Sequence, residues 1–441
     1  MQQAEPHPLI KAGLLALAFI VLTTPLRAGL VVLPGDTLAV CVDADYQHRS
    51  IAMDIANYFL MCQPVDGVRV IPAQLWNERL EGFMTRVEND LGPLRPHIVL
   101  AAHGTEDGAQ GRESRSATFY HPTYFTQTIE NLKKIGARDI VMGSAGCVDS
   151  RLFRGGGEAA ATWNANLTVY RDLDREITAR EGVKFADLHT PLMDAMARAK
   201  EKYGVDYPLT GSNGERLAPN AQLVEAAVFL QALGCDGAIG TITVDFPAGK
   251  AEGTPGQKIL SSAYRREPSL SVTLELESTR YPFCFQGAPE RTDSTSAIYT
   301  CFPFNEELNR YLLVVRGLGA ATTKIKLTWG NQERAFFREC TAGDLAKGVN
   351  LAAVFATQTP FEERWRQVEG AMHERQRSWR FFNEWVFHSR EELKQMIPHN
   401  PELVERLVDA VQERDKALNA QVATLVTPLR HTLTIEVMSQ P

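Results

Sequence analysis

The residues best equipped for chemistry close an apolar run: Ile98-Val99-Leu100-Ala101-Ala102 gives way to His103-Gly104-Thr105-Glu106-Asp107-Gly108. An imidazole, a hydroxyl and two carboxylates side by side are what general acid–base, nucleophilic and metal-assisted catalysis draw on. Other runs stop in the same way. Leu38–Val42 meets Asp43-Ala44-Asp45, Asp139–Met142 meets Gly143-Ser144-Ala145-Gly146, and Val183–Ala186 meets Asp187-Leu188-His189. This is the pattern of buried parallel strands delivering side chains to the carboxyl edge of a sheet, where open α/β folds bind ligands. Several strand ends thus converge on one crevice.

The chemistries open to these residues differ in what else they need. His97, His103, Glu106, Asp107 and His121 are metal-ligand types, but their spacing fits no standard metal motif, so neither a metal nor a cofactor is expected. His103 reads instead as a strand-end residue hydrogen-bonded to neighbouring backbone. Asp187 and His189 point to one side of an extended segment, yet no nucleophile accompanies them. Gly155-Gly156-Gly157 lacks the strand–turn–helix setting and the GK[ST] of a phosphate loop, and reads as a surface loop. Tyr281, Phe283, Phe285, Phe302 and Phe304 are types that bind sugars, and they read as the core of a small β unit.

The elements that must position the crevice alternate. Between Val31 and Gly240, strand-like runs are interleaved with helix candidates at Ser50–Met61, Asn77–Val87, Tyr124–Lys134, Ala159–Arg180, Pro191–Tyr203 and Ala221–Leu233. That βα alternation predicts an α/β fold, a three-layer parallel sheet with right-handed crossovers. After the polar link Pro247–Gln257 the period changes to two at Leu270–Glu277 and Lys324–Thr328, with a short apolar run at Tyr311–Val315, which predicts a small antiparallel unit. From Phe361 the chain reads as charged helix, clearest at Glu402–Ala423, and so polar a helix is expected to pack across the rest of the molecule. The organisation expected is an α/β domain over 29–250, a β-rich unit over 251–345 and a helical region over 346–441.

Residues 1–28 read as a targeting segment. Lys11 precedes the uncharged Ala12–Leu22, too short for a bilayer span of about 20 residues, and Ala28 is a plausible last residue before cleavage. Export to a secreted or periplasmic location is expected, with retention as an uncleaved N-terminal anchor as the alternative. Forty-six basic residues against fifty-three acidic, a net charge of -7 and no basic tract argue against a nucleic-acid partner. The seven cysteines show no CxxC and no zinc spacing; Cys284 and Cys301 are the candidate pair, while Cys41 and Cys147 read as small buried hydrophobes.

In order along the chain, HGTEDG, Gly143–Ser150, Ala165–Leu167, Phe185–Pro191, Phe229–Asp245, Ser278–Phe285 and Leu345–Ala352 resemble the SGNH/GDSL hydrolases, specifically secreted bacterial members with a C-terminal extension. The resemblance covers nearly the whole chain after residue 28. It implies a flavodoxin-like sheet and ester hydrolysis, often of acyl groups on carbohydrates. It further implies a serine nucleophile, a histidine base oriented by an aspartate three residues earlier, and an oxyanion hole made by two amides and an asparagine.

Carried onto this chain residue by residue, the pattern fails at each group. The preferred register puts the nucleophile turn at Asp43-Ala44, so Ala44 stands where the serine belongs; the other register, Gly35-Asp36-Thr37, offers Thr37 as an alternative nucleophile. The glycine amide of the second block falls at Gln74 or Asn77. The third block reads Gly104-Thr105-Glu106-Asp107, with the carboxylate of Glu106 in place of an amide donor. A carboxylate only accepts, and losing one oxyanion donor costs roughly 3–4 kcal/mol. The last block reads Asn213-Gly214-Glu215-Arg216, with Asn213 for the aspartate and Arg216, which cannot deprotonate, for the base. Glu106 and Arg216 are expected to pair, to hold an anionic ligand through Arg216, or to stand solvated.

The expectation is a pseudo-hydrolase that binds a carbohydrate or acylated glycan. Two alternatives stand beside it: an active carbohydrate esterase with a displaced site, on Thr37 or another nucleophile, and a structural partner of an active relative.

Overall fold

The computed structural model describes residues 29–42, 50–75, 77–108, 119–291, 293–331 and 333–438. The targeting segment 1–28 and the turn carrying Asp43 and Ala44 lie outside the described residues. Five parallel strands build the first sheet: β1 (Thr37–Val42), β2 (Arg69–Pro72), β3 (Ile98–Ala102), β4 (Asp139–Gly143) and β5 (Lys184–Ala186). Their order is β2-β1-β3-β4-β5, the flavodoxin-like arrangement whose switch point lies between β1 and β3.

Period-two alternation divides these strands between two cores. Leu38, Val40 and Val42 join Ile98 and Leu100 on one face, while Ala39 and Cys41 join Val99 and Ala101 on the other. The first face is covered by α1 (Ile51–Asn57), and the second by α2 (Leu80–Arg86), α3 (His121–Lys134) and α4 (Gly157–Glu181). Helices α5 (His189–Tyr203) and α6 (Pro219–Ala232) complete the first face. Ser50 starts α1 by accepting the Met53 amide at 3.1 Å. Pro219 opens α6, which is buried all round from Asn220 to Leu230 because it runs between the sheet and its neighbours. The three-layer α/β fold read from the sequence is the one observed.

Nine further strands follow: β6 (Ala238–Asp245), β7 (Lys250–Gly253), β8 (Gln257–Arg265), β9 (Ser271–Ser278), β10 (Arg310–Arg316), β11 (Lys324–Gly330), β12 (Ala335–Thr341), β13 (Val349–Asn350) and β14 (Leu429–Val437). They form two sheets, β13-β10-β6-β7 and β12-β11-β14-β9-β8. The tail from Phe361, read as mostly helical, also carries a strand, since β14 is central to the third sheet. Its alternate residues His431, Leu433 and Ile435 are buried, the period-two pattern of a strand. Cys284 and Cys301 are also not joined: their sulfurs sit against Pro282 O at 3.4 Å and Ala297 O at 3.3 Å, and all seven cysteines are unbridged.

Two charged helices, α7 (Glu362–Phe382) and α8 (Glu402–Ala423), cover the open edge of the first sheet. Arg375 holds Asp415 through two bonds of 2.8 Å and donates to Val70 O at 3.2 Å, while Asn419 donates to Val68 O at 3.1 Å. These side chains give carbonyls in edge strand β2 and just before it partners that another chain would otherwise supply. Among the described residues, no helix is long and apolar enough to cross a membrane.

Candidate functional site

At the carboxyl end of β3 the backbone turns through Gly104, with φ 123°, into a single helical turn, Thr105–Gly108. Glycine is favoured there, because the φ is one that L side chains rarely adopt and a Cβ would press on His121 Cε1 at 3.3 Å. The turn is stitched on three sides. Thr105 Oγ1 accepts the Gly146 amide at 3.2 Å, Trp163 Nε1 donates to Thr105 O at 2.7 Å, and Asp107 accepts the Leu80 amide at 3.1 Å. Asp107 therefore caps the first turn of α2 and ties it to the end of β3.

Glu106 is left half-buried on the rim. Burial pushes its pKa up, Glu215 adds to the rise, Arg79 opposes it, and Asp107 and Arg216 make smaller contributions of opposite sign. The crevice thus gathers Glu106, Glu215, Arg79 and Arg216 from three loops. Arg216 is positioned by Asn213, whose Oδ1 accepts the amides of Glu215 and Arg216, each at 3.2 Å. That turn docks on the loop after β4, where Gly214 O accepts the Asp149 amide at 2.7 Å. Asn213 spends its acceptor on the backbone rather than on a side chain at position 216. Asn77 is exposed with φ 47°, left-handed backbone that asparagine tolerates better than most residues, whereas Gln74 is buried.

Thr37 is not part of this crevice. It is the first residue of β1, at the opposite edge of the sheet, about 16 Å from the strand's end at about 3.3 Å per residue. Its amide donates to His97 Nδ1 at 3.0 Å, beside the Asp36–Arg138 ion pair of 2.8 Å. The strand begins at Thr37 because Gly35 turns the chain immediately before it, with φ 81°. The carboxyl end of β1 is thus Val42, and Gly35–Thr37 lie at its other end.

Each histidine near the sheet is committed elsewhere. His103 Nε2 lies 3.2 Å from Glu78 Oε2 with Phe83 stacked on the ring at 4.3 Å. Glu78 also pairs with Arg86, which reaches Asp90 at 3.2 Å, and Asp90 meets His388 Nδ1 at 2.9 Å. Burial pushes Glu78 upward, but the bonds from Arg86 and His103 outweigh it and hold the carboxyl at about 2. His121 Nε2 meets Asp174 Oδ1 at 2.7 Å under a stacked Tyr170. Burial raises the Asp174 carboxyl despite this imidazole. Among the described residues, no three His, Cys, Asp or Glu are grouped to hold a metal ion. Cys41 and Cys147 are buried, and burial pushes both thiols up, Cys41 to about 12.

Two imidazoles do stand at hydroxyls. His189 does not use Asp187: its Nδ1 donates to Gly146 O at 2.7 Å and its Nε2 faces Thr168 Oγ1 at 3.1 Å. Asp187 instead caps α5 through the Thr190 amide at 3.0 Å. His431 Nε2 faces Ser278 Oγ at 2.8 Å in the core between the second and third sheets. There the Trp329 N–H donates to His431 Nδ1 at 3.1 Å, so Nε2 carries the proton and gives it to Ser278 rather than taking one. Sequence reasoning missed the Glu78–Arg86 and Asp174 partners. The spacing of Arg86 and Asp90 on one helical face was the one local signal.

No protein-family model and no curated protein matches the sequence. Among solved structures, a gut microbial diltiazem-metabolizing enzyme superposes with a TM-score of 0.69 at 17% identity, covering 93% of this chain and 99% of that one. An alpha/beta hydrolase from the metagenome of Lake Arreo covers 47% of this chain at 18% identity, with a TM-score of 0.37. An acetylxylan esterase from Geobacillus stearothermophilus, solved as a catalytic mutant, covers 46% at 13% identity, with a TM-score of 0.36. Over nearly its whole length, then, the chain shares its fold with the first of these structures, a parallel α/β sheet with additional β and helical parts.

Proposed function

We propose that this chain is an exported SGNH-like protein whose crevice binds a carbohydrate or acyl ester without hydrolysing it. The observation that carries this reading is the half-buried carboxylate of Glu106, with the charges of Glu215, Arg79 and Arg216 acting on it; the resemblance calls for an amide donor at Glu106 and an imidazole at Arg216. A carboxylate beside a developing oxyanion repels it, and a guanidinium cannot take a proton from a nucleophile. Alternating acceptors and donors on an open rim suit the vicinal hydroxyls of a sugar, which both accept and donate. Residues 1–28, with a basic start and a short apolar stretch, support export.

The test is hydrolysis of p-nitrophenyl acetate and of acetylated xylo-oligosaccharides, with binding of the same sugars followed calorimetrically. Saturable sugar binding with turnover at background supports the proposal. Turnover above background overturns it, and one specific observation says where to look next. The second reading, a hydrolase with a displaced site, rests on the Thr168–His189 pair, whose imidazole donates from Nδ1 and so leaves Nε2 to accept. Turnover lost in Thr168→Ala would establish that reading.

A further inference from the structure

At the opposite edge of the first sheet, α8 and the start of β2 enclose a cleft of about 450 Å³, within the size range of small-molecule sites. Its apolar wall is built by Ala56, Phe59 and Leu60 at the α1 end, Met372 from α7, and Ala420 from α8, with Lys416 and Asn419 of α8 beside them. Arg69, 6% exposed, is one of its lining residues, and its Nε and Nη1 are buried at the cleft's edge with no hydrogen-bond partner.

The surrounding charges do not balance Arg69. The nearest carboxylate, Asp415, lies 3.8 Å from Arg69 Nε and is already gripped by Arg375 through two bonds of 2.8 Å. Two guanidiniums therefore share one carboxylate. Glu413, the next acid, is bound to Lys416 at 2.6 Å. Burial lowers the proton affinity of Arg69; Asp415 opposes this, Arg375 adds to it, and Glu413 opposes it least. A buried cation with empty donors is strongly unfavourable unless an anion completes it.

We propose that this cleft binds an amphiphilic carboxylate, its head on Arg69 and its hydrocarbon body against Phe59, Leu60 and Met372. The planar fork of a guanidinium matches a carboxylate. The lining holds cations at Arg69 and Lys416 and no carboxylate among the described residues. The site is separate from the crevice and stands whether or not the crevice binds sugar.

The experiment is calorimetric titration of the full chain with sodium octanoate, with 1-octanol and inorganic phosphate as probes of the two halves of the ligand. One octanoate per chain is expected, with at least tenfold weaker binding for both 1-octanol and phosphate. Arg69→Met should weaken octanoate at least tenfold. Ala420→Phe, which leaves Arg69 in place and fills the cleft, should do the same and keeps the test open if Arg69→Met fails to fold. Octanoate that does not saturate, 1-octanol or phosphate that binds as well as octanoate, or octanoate binding unchanged in either variant overturns the proposal.

Discussion

His103 Nε2 stands 3.2 Å from Glu78 Oε2 at the end of β3, and this contact places the imidazole best situated for catalysis inside a buried ion network. Glu78 is shared between His103 and Arg86, Arg86 between Glu78 and Asp90, and Asp90 between Arg86 and His388. The network joins β3, α2 and the segment after α7. It engages the Nε2 of His103 with the Glu78 carboxylate.

Removing one member should therefore be costly. Glu78→Gln leaves the Arg86 charge buried against one remaining carboxylate, and a broken buried pair costs about 3–5 kcal/mol. Urea unfolding should show the midpoint falling with the slope unchanged. A loss below about 1 kcal/mol would mean that the network contributes little.

Acid should unfold the protein in two stages. His431, buried among Trp329, Ser278 and Tyr311, is held at about 3 by burial alone. Its unfolded value is about 6.5, so the folded value is depressed, and its contribution is complete above about pH 6.5 and is lost as pH falls toward 3. Glu78, at about 2 when folded against about 4.3 unfolded, adds a second loss between those values. Stability measured against pH should decline from about pH 6.5 in the wild type. His431→Gln should flatten the upper stage and leave the lower one.

Gly104 and Gly136 both have positive φ, 123° and 85°, but only at Gly104 would a Cβ meet a neighbour, His121 Cε1 at 3.3 Å. Gly104→Ala should cost about 1–3 kcal/mol for the backbone, with displacement of the imidazole in addition. Gly136→Ala should cost only the backbone share, about 1–2 kcal/mol. Thermal melts of the two variants compared directly would detect the difference, and equal losses would refute the contact.

If the crevice is an esterase site with its chemistry removed, putting the groups back should return it. The combination Ala44→Ser, Glu106→Asn, Asn213→Asp and Arg216→His should hydrolyse p-nitrophenyl acetate above background, and Arg216→His alone should not. Within the combination, keeping Glu106 should lower the rate by about 10²–10³, the worth of one oxyanion donor. A combined variant that folds and stays silent would mean that the crevice departs from the esterase pattern in more than these four groups.

The parallel strands and their helices were legible because their signals are local. Ile98–Ala102 is apolar on both faces and ends at Gly104, and Glu402–Ala423 repeats at helical spacing, so both are where the sequence put them. β14 has no counterpart in the sequence reading because its partners, Leu274 in β9 and Trp329 in β11, are far off in sequence and nothing in the preceding charged helix announces them.

The sequence by itself determined the α/β alternation and the residue types at the crevice: a carboxylate at Glu106, an amide at Asn213 and a guanidinium at Arg216. Tertiary structure alone decided what those groups and their neighbours face. It moved Thr37 to the far edge of the sheet, joined Asp90 to His388 across 298 positions of chain, and placed Arg69 in the lining of a cleft opposite the crevice. The reason is physical: periodicity records which side of an element is buried, whereas a charge finds its partner only when distant segments fold against one another and exclude water.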